Sequence, residues 1–156
     1  MVTTVLVAGI GNIFLGDDGF GPAVLRRLSG DRETGVRVAD YGIRGMHLAY
    51  DLLDGWDALI LVDALPDRGE PGRIEVLRAE QSTATARLDA HAMNPEAVFA
   101  AVRALGGRVP PTVVVGAQVA SVEEGIGLSE PVAAAVPAAA AAVEAVLANL
   151  RTRQEV

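Results

Sequence analysis

Residues Val5 to Pro22 read VLVAGIGNIFLGDDGFGP. Thr4 to Ala8 is a short, continuous, β-branched run, which predicts a strand buried on both faces. The run enters a turn built on Gly9, Gly11 and Asn12 and passes two adjacent carboxylates, Asp17 and Asp18. A helix is then predicted from Gly19 to Leu28. Either acid could cap it, and Pro22 suits a first turn.

Working outward, the same alternation recurs. Val36 to Ala39 predicts a second strand, ending at Asp40-Tyr41-Gly42, and Met46 to Leu53 a short helix. Asp57 to Val62 predicts a third strand, apolar on both faces, that ends at Asp63. Pro66 to Gly72 is a loop. Ile74 to Leu77 predicts a fourth strand, which could run antiparallel to its neighbours. Arg78 to Ala90 has no clear period and reads as a loop leading to His91. Pro95 to Leu105 predicts a helix, with Asn94 as N-cap and Gly106-Gly107 as its stop. Thr112 to Val115 predicts a fifth strand. Ser129 to Arg151 predicts a long Ala-rich helix that Pro137 could kink or split. Core packing is the expected role of that helix and of Met46, ahead of the alternative that they line a groove. Strands alternating with helices give an α/β fold of three layers: a mostly parallel, twisted five-stranded sheet flanked by helices on both faces.

The 156 residues suit one domain spanning 1–156, and half of them are hydrophobic. Without cysteine there is no disulfide, thiolate metal site or cysteine nucleophile. A net charge of −7 argues against nucleic acid as a partner. No apolar run approaches the ~18 residues of a membrane span, so no membrane partner is expected. The start, MVTTVLVAG, lacks a basic region, and the expected location is cytoplasmic.

In parallel sheets the site lies beyond the carboxyl ends of the strands. The first three strands end at Gly9-Gly11, Asp40 and Asp63, so turn and acidic elements converge on one rim. GIGNIF suggests a dinucleotide turn, but the third glycine position holds Phe14, and Asp17-Asp18 would repel a pyrophosphate. Of two adjacent acids, one is expected to cap the helix and the other to face the rim. Asp63 reads equally as a strand-end turn former and as a ligand or base. The imidazoles are His47, inside a helical run, and His91, in an irregular segment where site residues concentrate. Two aspartates and one histidine would suit a borderline divalent ion such as zinc or nickel, with positions left open.

GIGNIFLGDDGFGPAV resembles the N-terminal signature of the hydrogenase maturation proteases. The likeness continues in order through DYGIRGM, DALILVDAL, a His before the next helix, and VGAQVASVEEGIGLSEPV. It implies a twisted sheet flanked by helices and an endopeptidase. The substrate would be the nickel–iron hydrogenase large-subunit precursor, cut at its C-terminal extension once nickel is inserted. By position, the resemblance implies that Asp18, Asp63 and His91 contact that nickel and form the catalytic site. It also relates Asp40 to activity; with Gly42 and Asn12 it is expected to bind substrate. Nickel would come with the precursor, with no tightly bound metal in the free enzyme. Tyr41 and Arg44 depart from the small residues commoner after that acid. Two alternatives use the same rim: a non-catalytic, metal-recognising maturation chaperone, and a nucleotide-binding α/β domain.

Overall fold

The computed structural model describes residues 2–28, 30, 32–79 and 95–152. All six residues of β1 (Val5–Ile10) are buried. This strand pairs in parallel with β2 (Val36–Gly42) on one side and β3 (Ala58–Leu65) on the other. Next, β5 (Thr112–Gln118) adds in parallel to β3, and β4 (Ile74–Arg78) runs antiparallel to β5. The strand order is β2-β1-β3-β5-β4.

Strand alternation divides the core into two layers. Val5, Val7, Ile60 and Val62 point toward α1 (Phe20–Leu28) and α4 (Glu130–Thr152). Leu6, Ala8, Ile10, Leu59 and Leu61 point toward α2 (Gly45–Leu52) and α3 (Pro95–Ala104). A strand feeding both layers must be apolar at every position, which is why β1 and most of β3 read as unbroken aliphatic runs. The amino ends of β1 and β3 are tied by Asp57, whose carboxylate accepts from the backbone N–H of Thr3 and Thr4 and from the Thr3 hydroxyl. Those bonds lower its pKa to about 2.

The five strands and four helices appear where the sequence places them, and β4 takes the antiparallel option. Several details differ, among them β2 and β5, which run on to Gly42 and Gln118. β3 does not stop before Asp63: it continues to Leu65, because β5 supplies partners Gly116, Ala117 and Gln118 opposite Asp63, Ala64 and Leu65. α4 is neither split nor ended at Pro137, and it stays helical for 23 residues. Its buried stripe of Val132, Ala135, Ala139, Ala140, Val143 and Leu147 packs on α1 and the sheet, and that packing offsets the lost backbone bond. By length and composition α4 is also apolar enough to cross a membrane, with a mean hydropathy of 1.8, contrary to the expectation that no segment approaches this. Met46 is exposed, so it has no core role.

Candidate functional site

The chain leaves β1 toward β2 on one side, and β3 lies on the other. The point where the order reverses, at the carboxyl ends of β1 and β3, is where open α/β sheets bind ligands. Two glycines shape it. Gly11 has φ 143°, and a Cβ there would stand 1.9 Å from the carbonyl oxygen of Asp18. Gly21, in the first turn of α1, lies over the strand ends, and a Cβ would be 2.3 Å from the Ile10 oxygen and 2.6 Å from the Val62 oxygen. The close helix–strand approach that a dinucleotide turn assigns to its third glycine is here carried by Gly21.

A 3-10 turn, Gly16–Gly19, separates β1 from α1 and carries both acids in buried positions. The two carboxylates part ways. Asp17 reaches the segment between β5 and α4. It accepts from the backbone N–H of Ala120 (2.8 Å), Ser121 (3.2 Å) and Ser129 (2.7 Å) and from the Ser129 hydroxyl (2.8 Å). Burial alone would raise its carboxyl, but these bonds outweigh it and hold the pKa below the ordinary range. Capping is therefore not its role. It clamps the rim.

Asp18 stays at the β1–β3 junction. Its Oδ2 accepts from the Asn12 N–H at 2.7 Å, and the residue is 1% exposed. Asp63, 3% exposed, is the polar residue within an otherwise apolar β3. Burial, and then the charge of Asp18, push its carboxyl well above the usual range, while a bond from its neighbour Ala64 N–H opposes the shift. The structure thus brings two of the expected site residues together as an interacting pair. The pair lies beneath the rim rather than open on it. A buried carboxyl beside a second acid favours holding a proton, and such a pair suits acid–base work or cation capture. His91 lies outside the described residues. Among the described residues, no group of three His, Cys, Asp or Glu side chains is placed to hold a metal.

The expected substrate-binding residues line the adjoining turns. The Asn12 side chain accepts from the Phe14 N–H, folding the loop after β1 back on itself. Asp40 is exposed, and its Oδ1 accepts from the Gly42 N–H at 2.9 Å. The Gly42 carbonyl in turn accepts from the Gly11 N–H at 3.0 Å, so the loops after β1 and β2 are joined at the rim. The departures at Tyr41 and Arg44 support each other. Tyr41 is buried, and its hydroxyl donates to Asp51 at 2.5 Å. Arg44 lies over the Tyr41 ring and donates to the Asp40 carbonyl at 2.7 Å. His47 packs edge-on to Tyr41 and is exposed, so it braces this turn rather than entering the site.

Gln118, at the end of β5, carries a role that the sequence reading did not assign. It is buried, accepts from the N–H groups of Arg68 and Glu70, and donates to Glu75. Its one sequence signal is a polar residue closing an apolar run.

The family profile described as "HycI: Hydrogenase maturation protease" matches residues 23–146. The hydrogenase 2 maturation protease of Escherichia coli is 33% identical over 152 residues, covering 94% of this chain and 90% of that protein. The δ subunit of coenzyme F420 hydrogenase from Methanothermobacter thermautotrophicus is 40% identical over 76 residues, covering 45% of this chain and 48% of that protein. Among solved structures, the hydrogenase maturating endopeptidase HybD from E. coli superposes with a TM-score of 0.78 at 32% identity, covering 96% of this chain and 93% of that one. A hydrogenase 2 maturation peptidase from a Thaumarchaeota archaeon gives a TM-score of 0.69 at 32% identity, covering 93% and 98%.

Proposed function

This chain belongs to the hydrogenase maturation protease family, and from that premise we propose that it removes the C-terminal extension of a nickel-loaded nickel–iron hydrogenase large-subunit precursor. The observation that carries the site assignment is the buried Asp18–Asp63 pair at the β1–β3 junction. His91 is the third proposed member, on the sequence alone. Nickel enters this scheme as part of the substrate. Two carboxylates with one imidazole leave coordination positions open, and the precursor's own groups would fill them. Its charge would favour loss of the proton that burial holds on Asp63. The metal would then polarise the scissile carbonyl or a water, and a freed carboxylate would serve as general base. Asp40, Gly42 and Asn12 would border the entry of the precursor chain.

The test is incubation with the precursor in nickel-loaded and nickel-free forms, followed by mass spectrometry. Shortening of the loaded form alone is expected, and Asp18→Ala, Asp63→Ala and His91→Ala should each remove it while leaving the circular dichroism spectrum intact. Binding of the loaded precursor without shortening would favour the chaperone reading instead. Full cleavage by all three variants would discard the site.

A further inference from the structure

Five of the ten large hydrophobic side chains exposed among the described residues stand around this one rim, four on its loops and Met46 in the first turn of α2. Ile13 and Phe14 follow β1, Ile43 and Met46 follow β2, and Ile126 follows β5; Phe14 is 59% exposed and Ile126 78%. Their loops form a contiguous arc. The Gly11 N–H donates to the Gly42 carbonyl at 3.0 Å. Gly125 donates to the Phe14 carbonyl and accepts from the Gly16 N–H, each at 2.9 Å, which makes a parallel bridge between Leu15 and Gly125. Asp17 then clamps both ends of the β5–α4 segment, Ala120 and Ser121 just after β5 and Ser129 just before α4.

These side chains are therefore carried on loops already held by backbone bonds. Ordering them on binding costs little, and exposed apolar side chains gathered on neighbouring loops mark an interaction site. The arc is continuous with the acidic pair, since Asp18 accepts from the N–H of Asn12, the residue before Ile13. Its margin carries exposed Asp40, Glu123, Glu124 and Glu130 beside Arg44, while the exposed arginines of the loop after β3, Arg68 and Arg73, are paired with Glu75 and Glu70.

We propose that this apolar collar is the docking surface for the precursor's C-terminal segment, which it takes as an extended peptide with apolar side chains and basic flanks. This inference rests on the protease reading above. Apolar anchors would seat on Phe14 and Ile126, the basic flanks would meet the acidic margin, and the peptide bond between them would be delivered to the Asp18–Asp63 pair.

The test uses the full chain and nickel-loaded precursor, with the double variant Phe14→Ser/Ile126→Ser. KM should rise about tenfold, a loss of about 1.4 kcal/mol in binding, with kcat within twofold and the melting temperature unchanged. Leu105→Ser, an exposed apolar position at the end of α3, should change neither constant. Glu123→Gln/Glu124→Gln should weaken binding and flatten its salt dependence. An unchanged KM in the double variant would overturn the proposal. So would a dimer of the parent chain that the double variant dissolves with KM unmoved, since the collar would then be a contact between copies. Calorimetry of the parent and the double variant with the loaded precursor separates the two readings. If the parent binds but does not cut, and the double variant loses binding, the collar stands and the protease reading falls. Equal binding by both overturns the collar whatever the activity.

Discussion

At the scale of single residues, the adjacent aspartates show how environment divides identical chemistry. Asp17 meets four donors and is held ionised; Asp18 accepts from the Asn12 N–H and faces a second acid. The consequence for stability falls on Asp63. Its folded-state pKa is raised by burial and by Asp18. Above the unfolded value of about 4 the unfolded chain has released this proton while the native chain still holds it, so this group makes stability fall as pH rises through that window. Asp63→Asn keeps the acceptor for the Ala64 N–H and removes the ionisation. It is expected to melt higher than the parent at pH 7, to match the parent below pH 4, and to process no precursor. Calorimetric melting at both pH values checks this. A variant that melts lower than the parent at pH 7 would show that the carboxylate stabilises the fold rather than serving the site. The sequence presented Asp63 as evenly balanced between turn former and ligand, because the identity of a residue says nothing of the charge that another segment brings beside it.

At the scale of elements, the strands and helices were readable because their signals are local. β1 and β3 are aliphatic throughout since both faces are covered, and α3 is stopped by Gly106-Gly107, where the Gly107 N–H returns to the Val102 carbonyl. What the sequence could not show was length at the strand ends, where pairing with β5 carries β3 past Asp63. It also could not show that α1 crosses the strand ends at backbone contact. That crossing depends on Gly21, and Gly21→Ala would place a methyl against the Ile10 and Val62 carbonyls. Relief requires α1 to rise from the sheet. Overpacking of this kind costs about 1–3 kcal/mol, and because α1 continues directly from the turn holding Asp18, we expect activity to fall further than stability. A denaturation midpoint and a processing assay on the same preparation would show it. Wild-type activity with lowered stability would mean that the acidic pair is positioned independently of α1.

At the scale of the whole molecule, the rim is assembled from segments far apart in the chain and closed by Asp17, whose carboxylate binds Ser129, 112 residues away. Sequence reading found the convergence of strand ends but not this closure, since most partners of Asp17 are backbone N–H groups, which any residue could supply, and nothing local in VGAQVASVEEGIGLSEPV points back to it. The closure divides the two acids: one holds the rim and the other lies beneath it beside Asp63. Asp17→Ala leaves the Ala120, Ser121 and Ser129 N–H groups without their acceptor. An unsatisfied buried donor costs about 1–3 kcal/mol, and water reaching the opened loop would recover part of that. A net loss of about 3 kcal/mol is expected, which for a chain of this size lowers the melting temperature by roughly 6–12 °C. In urea the midpoint should fall with an unchanged slope, as for one cooperative unit losing stability. The pH dependence should change as well. Because the native carboxyl of Asp17 is depressed, its contribution is present above the unfolded pKa and lost as pH falls through the native one. The gap between parent and Asp17→Ala should therefore narrow in acid, as it does for Asp63→Asn, but at pH 7 the parent is here the more stable of the two, where against Asp63→Asn it is the less stable. If Asp17→Ala melts like the parent at pH 7, the four bonds do not hold the rim, and the collar loops and the acidic pair must be fixed in place by other contacts.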